Sequence, residues 1–77
     1  MTDWNATDMT FIDISMEASR TYIFHDVELT IDNPTHLHVS ESGGHRIRTA
    51  DGLGHYIVPG FCAIEWMPKE GQPTFVA

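Results

Sequence analysis

Between Pro34 and Trp66, short runs of alternating apolar residues are broken by glycine reversals at Ser42-Gly43-Gly44, Asp51-Gly52 and Pro59-Gly60. A chain with an apolar residue at every second position and a tight reversal after each run folds back on itself as antiparallel strands. Successive side chains then leave opposite faces, so each strand has a dry side and a wet side. The clearest instance is Val27, Leu29 and Ile31 alternating with Glu28, Thr30 and Asp32. Asn33-Pro34 ends that run, because proline lacks a ladder donor and restricts the residue before it.

The remaining segments follow the same logic. Thr10 to Ser15 reads as a strand with Ile12 and Ile14 on one face, and Met16 to Ser19 as a turn too short for a helix. Arg20 to Phe24 is a strand rich in aromatic and β-branched residues, followed by a reversal at His25-Asp26. Cys62, Ile64 and Trp66 alternate with Phe61, Ala63 and Glu65 until Met67-Pro68 stops the strand, with Trp66 assigned to the core. Pro59-Gly60 marks a bulge or corner, and Thr74 to Val76 adds a short edge strand. The fold class is therefore all-β: a small antiparallel meander of five to six short strands, curled or closed into a barrel of SH3-like size, since closure removes exposed edges. The whole of 1–77 is one domain, with a loose lead-in over 1–9, a β core over 10–66 and a tail over 67–77.

The hairpin after Pro34 allows a calculation of register. A two-residue loop at Gly43-Gly44 pairs Val39 with Arg48 and buries a guanidinium. A three-residue loop, Ser42-Gly43-Gly44, pairs Val39 with Ile47 and Leu37 with Thr49, keeping Leu37, Val39 and Ile47 inside. It sets His38 opposite Arg48 and Ser40 opposite Arg46 on the wet face. The second arrangement is expected, because a slip of one residue exchanges the faces. Beyond Asp51-Gly52-Leu53-Gly54, either Tyr56 or Ile57 lies opposite Ile47.

Size and charge narrow the function. A chain of 77 residues buries only about 60% of its unfolded surface, and Cys62, the one cysteine, cannot form a disulfide within it; among Phe61, Ala63 and Ile64 it reads as a small buried apolar residue. Eleven acidic residues against four basic ones give a net charge of −7, which opposes direct nucleic-acid binding. The polar start, Met1-Thr2-Asp3-Trp4, and the lack of an apolar run near the ~20 residues of a membrane span predict a soluble cytoplasmic protein without membrane contact.

Chemistry-bearing groups are few. His36 and His38 leave the same strand face, and His45 and His55 on neighbouring strands would converge there as zinc ligands. The spacing matches no ligand motif, the echo of a His-x-His plus glutamate set in His36, His38 and Glu41 points Glu41 to the opposite face, and Arg46 and Arg48 oppose a dication, so no metal or other cofactor is expected. No serine sits in a nucleophile elbow, and Gly43-Gly44-His45-Arg46 lacks the lysine and helix of a phosphate loop. No catalytic residue is expected. What remains is aromatic-plus-arginine composition, enriched in binding hot spots: His38, Arg46, Arg48, Tyr56 and Phe61 are the expected partner-binding residues.

The order Arg20-Thr21-Tyr22-Ile23-Phe24, Val27 to Pro34, Leu37-His38-Val39-Ser40-Glu41-Ser42-Gly43-Gly44-His45-Arg46-Ile47, His55-Tyr56-Ile57-Val58-Pro59-Gly60 and Ala63-Ile64-Glu65-Trp66 resembles a group of small uncharacterised phage and prophage proteins. The resemblance covers about residues 20–66 and implies a viral or prophage origin without an assigned chemistry. The expected function is a non-enzymatic protein-binding module, a phage or prophage accessory acting on a host or viral protein and able to self-associate through an open edge. The alternatives are an acidic mimic of nucleic acid that inhibits a DNA- or RNA-handling enzyme, and a small zinc protein.

Overall fold

The computed structural model describes residues 10–71. Along them run β1 (Ile12–Asp13), β2 (Glu17–Ile23), β3 (Glu28–Asp32), β4 (Pro34–Val39), β5 (His45–Thr49), β6 (Gly54–Ile57) and β7 (Ala63–Pro68). Every pairing is antiparallel. The fold is all-β, as the alternation requires, but these strands do not close into a barrel. They form two sheets, one ordered β1-β4-β5-β6 and the other β3-β2-β7, seven strands where five or six were expected. The lead-in over 1–9 and the edge strand at Thr74 to Val76 lie outside the described residues.

Three connections carry the chain between sheets: residues 14–16 from β1 to β2, Asn33 from β3 to β4, and residues 58–62 from β6 to β7. Asp32 still pairs with Ser19 of β2, whereas Pro34 already pairs with Thr49 of β5. Asn33, between them, adopts φ of 50°, a left-handed conformation that asparagine tolerates better than most residues. Its N–H donates to the Ala18 carbonyl at 2.9 Å and its carbonyl accepts from the Ala50 N–H at 3.0 Å. Residues 58–62 make the last crossing, with Gly60 at φ of 116°. The Pro59-Gly60 step is thus a corner between sheets. Strands that change sheets in this way are how packed sheets turn corners without a continuous barrel.

The inner faces meet around Ile14, Tyr22, Ile31, Leu37, Ile47 and Ile57, with Met16, Phe24, Phe61 and Ile64 packed at the margin. Each fully buried large apolar side chain contributes about 1.5–3 kcal/mol. The β4–β5 register differs from the expected one by two residues: Leu37 pairs with Ile47, His38 with Arg46, and Val39 with His45. The loop between them is longer than three residues, closed by Ser40 N–H to the Gly44 carbonyl and Gly43 N–H to the Ser40 carbonyl. A shift of two keeps every side chain on its face, so Leu37 and Ile47 remain inside. Val39, now at the strand end, is 44% exposed. Opposite Ile47 stands His55, neither Tyr56 nor Ile57.

Other expectations fail at edges. Of the alternating Val27, Leu29 and Ile31, only Ile31 is buried, and β3 stands at the edge of its sheet. Cys62 is exposed, its thiol directed at the Ile23 carbonyl at 3.3 Å. Trp66 is half-buried rather than central.

The segment expected to be a turn, Met16 to Ser19, instead opens β2 with a β-bulge. Glu17 pairs with Pro68 and Ser19 with Met67, so the ladder skips Ala18. In a regular strand residues three apart face opposite sides; the extra residue brings Glu17 and Arg20 onto the same inner face. Both are fully buried. Arg20 Nε donates to Glu17 Oε1 at 2.9 Å and Nη2 to Oε2 at 2.8 Å, a two-pronged ion pair. Its Nη1 reaches the Tyr22 hydroxyl at 3.4 Å. That hydroxyl lies 2.6 Å from Nδ1 of His45 on the other sheet. A polar chain thus runs through the apolar interior and joins β2 to β5.

Removing one member of a buried ion pair strands the other charge, at a cost of about 3–5 kcal/mol. Glu17→Ala is therefore expected to lose about that much stability in urea denaturation, whereas Glu17→Leu with Arg20→Met recovers most of it. A loss under about 1 kcal/mol for Glu17→Ala would show that the pair is not buried.

Candidate functional site

Alternation places Phe11 and Asp13, His36 and His38, Arg46 and Arg48, and Tyr56 on the outer face of the four-stranded sheet. The cross-strand partners make two rows. In one, His38 stands opposite Arg46 and Arg46 opposite Tyr56; in the other, Asp13 stands opposite His36 and His36 opposite Arg48. Each guanidinium lies over a ring, Arg46 at 5.3 Å from the Tyr56 centroid and Arg48 at 5.0 Å from that of Phe11. Such contacts contribute about 0.5–1 kcal/mol each at exposed sites and restrict the arginine's rotamers. His38 packs on Phe11 with centroids 5.6 Å apart, and its Nδ1 lies 2.8 Å from the Thr10 carbonyl oxygen.

The Gly44 backbone supports this face. A Cβ on Gly44 would stand 2.2 Å from the Tyr56 hydroxyl oxygen and 2.6 Å from its Cζ, so only glycine lets the phenol lie across the loop. Ser42 Oγ is 3.4 Å from that hydroxyl. Hydrogen bonding from Ser42, then Ser40, and the charge of Arg46 hold the Tyr56 phenol below its usual range.

Of the expected contact residues, the structure gathers His38, Arg46, Arg48 and Tyr56 on this one face. Phe61 is elsewhere. It sits at the inner margin, edge-on to Tyr22 at 5.0 Å and to His45 at 5.1 Å. The four histidines proposed as zinc ligands do not converge either. His36 and His38 point outward, His45 is buried on the dry side, and His55 is the partner of Ile47. Among the described residues no three or more His, Cys, Asp or Glu side chains are grouped so as to hold a metal.

His45 belongs to the interior chain, which sequence reading missed because no residue spacing announces a bulge. Burial, and then the nearby Arg20 charge, push its imidazole below the usual histidine range. Tyr22 is raised, chiefly by burial, so its hydroxyl keeps the proton; with that oxygen accepting from Arg20 Nη1, an imidazole unprotonated at Nδ1 would accept the hydroxyl proton across the 2.6 Å contact. Burial works against the Arg20 charge, but the hydrogen bond to Glu17 and then the one to Tyr22 hold its guanidinium above the usual range. The polar chain lies against Phe61. A shallow groove of about 520 Å³ lies instead along Ser19, Thr21, Ile64, Glu65, Trp66 and Met67. The outer side of that sheet carries Glu28, Asp32 and Glu65 as its ionisable groups.

Comparison with protein-family models, curated proteins and solved structures finds no match. Among the described residues no helix is long and apolar enough to cross a membrane.

Two outcomes follow from these electrostatics. The two tyrosines should titrate apart by ultraviolet absorbance, Tyr56 below about pH 10 and Tyr22 above it. Gly44→Ala, which pushes the phenol off the loop, should move the first step up towards 10 and leave the second in place; a single merged step in the native protein would contradict the geometry. Second, the unfolded chain binds a proton at His45 more readily than the folded one. That contribution to stability is complete above about pH 6.5 and is lost as pH falls through the lower folded value. His45→Gln, which retains an acceptor for Tyr22, should flatten denaturation midpoints between about pH 6.5 and 5 relative to the native protein; an unchanged slope would place His45 in solvent.

Proposed function

We propose that the protein is a non-enzymatic binding module whose contact surface is the outer face of the four-stranded sheet. The observation that carries this reading is the placement of arginine. The chain has four basic residues: Arg20 is locked in the interior, Lys69 follows β7, and Arg46 and Arg48 stand together on this face beside Phe11 and Tyr56. In a molecule of net charge −7, that grouping is a local reversal of sign combined with aromatic surface, the composition of interface anchors. The partner is a protein, either host or viral given the resemblance to phage proteins, met in the cytoplasm. The acidic-mimic reading stands second, favoured only by Glu28, Asp32 and Glu65 on the opposite sheet.

Arg46→Glu with Arg48→Glu reverses the face without touching the interior. Capture of interactors from host lysate, compared between native and double-variant bait, should lose the specific partner while stability falls by no more than about 2 kcal/mol, the loss of two ring contacts. Undiminished capture by the folded variant would overturn the assignment of this face.

A further inference from the structure

We infer that the partner joins the four-stranded sheet as an added strand: an extended segment pairs antiparallel with β6 and sets a carboxylate opposite Tyr56, beside Arg46. The inference rests on the reading that this sheet carries the contact surface, and adds where the partner binds and in what form.

The sheet edges decide where. Among the described residues the two sheets end at β1, β6, β3 and β7, and strand edges are commonly guarded by shortness, charge or proline. β1 has two residues, one of them Asp13. β3 carries Glu28 and Asp32, and β7 carries Glu65 and closes on Pro68. β6, Gly54-His55-Tyr56-Ile57, has no carboxylate, guanidinium or amine, no proline and no register shift. Leu53, Tyr56 and Val58 are exposed along it.

The ladder supplies donors and acceptors. Thr49 N–H donates to the Leu53 carbonyl at 3.0 Å, one step beyond the pairing of Arg48 with Gly54. Bonding alternates along an antiparallel pair, so His55 and Ile57 turn their N–H and C=O groups to β5. Gly54 and Tyr56 turn theirs to the open side. A residue directly opposite Tyr56 on an added strand exchanges two hydrogen bonds with it, and the residue two further on meets Gly54. In strand addition the backbone supplies affinity and alternate side chains supply selectivity.

Charge names the occupant. The Arg46 guanidinium lies 5.3 Å from the Tyr56 ring centroid, over the last strand of the sheet, and no carboxylate among the described residues pairs with it. The side chain opposite Tyr56 on an added strand stands on the same face with its Cβ about 5 Å away, where a glutamate reaches that guanidinium. A second copy fits less well. β6 against β6 about a two-fold axis sets Tyr56 against Tyr56 or Gly54, brings no carboxylate to either Arg46, and joins two molecules of net charge −7.

The test uses the whole chain, isotope-labelled for amide resonances, and the end-capped peptide Thr-Val-Thr-Glu-Thr-Val-Thr, with affinities read by anisotropy of a fluorescein-labelled copy at low salt. On saturation the Gly54 and Tyr56 amide hydrogens should exchange about tenfold or more slowly, while those of Glu28 and Thr30 on the β3 edge do not change. N-methylation of the central glutamate, which faces β6, should weaken binding by about tenfold or more. N-methylation of the two threonines beside it, whose N–H groups point away, should leave affinity within about twofold. Glutamine in place of the central glutamate and Arg46→Gln should each weaken binding several-fold, with no further loss when combined. Unprotected Gly54 and Tyr56 amides, equal loss from both methylation patterns, or protection that grows with protein concentration alone, the mark of a second copy, would each overturn the inference. If the peptide does not bind while lysate capture still depends on Arg46 and Arg48, the added strand is wrong and the contact face stands.

Discussion

The structure depends on one fully buried carboxylate–guanidinium pair and the phenol and imidazole that extend it. A domain of this size has little apolar surface to bury, and its interior cluster holds six large side chains. Setting Glu17, Arg20 and His45 among them costs desolvation free energy that only complete hydrogen bonding offsets. Among the described residues no buried side-chain nitrogen or oxygen lacks a partner. Apolar contacts can slide by small distances at little cost, but a two-pronged ion pair at 2.8 and 2.9 Å continued to His45 at 2.6 Å fixes one register between the two sheets. The β-bulge at Ala18 is the device that makes this geometry available.

From that fixed interior the two outer faces follow. Once Leu37 and Ile47 point inward, alternation obliges His38, Arg46 and Tyr56 to point outward, and the same rule sets Thr21, Glu65 and Thr30 on the outer side of the other sheet. One face thus has cations and rings, the other hydroxyls and carboxylates. The groove along Ser19, Thr21, Ile64, Glu65, Trp66 and Met67 is lined by neither the ion pair nor Tyr22 and His45. The polar interior organises the fold, and the arginine–aromatic rows lie on the surface.

The sequence made the strand periodicity legible, and with it the fold class, the His25-Asp26 reversal, the Pro59-Gly60 corner and the outward direction of Arg46 and Arg48. That last point survived a wrong register because a two-residue error preserves the face. What escaped were features decided by the relation between sheets. Val27, Leu29 and Val39 alternate correctly yet are exposed, which no local pattern reports. Glu17 and Arg20, spaced three apart, face opposite sides of any regular strand, so a bulge had to be known before their pairing could be. A wet-face His45 conflicts with the alternation itself, since His45 and Ile47 are two apart on β5 and share the dry side; Phe61 escapes because it is positioned by Tyr22, a residue more than twenty positions away. The alternation also could not distinguish a closed barrel from two sheets joined by corners, since both satisfy period two.

The central claim, that a neutral His45 accepts the Tyr22 hydroxyl proton inside a sealed interior, is accessible to nuclear magnetic resonance. Long-range proton–nitrogen correlation of the imidazoles at neutral pH should show His45 with Nδ1 unprotonated and Nε2 carrying the hydrogen. It should be accompanied by a slowly exchanging hydroxyl proton assigned to Tyr22. An imidazolium at His45, a hydrogen on its Nδ1, or a Tyr22 hydroxyl that exchanges as fast as that of Tyr56 would contradict the account.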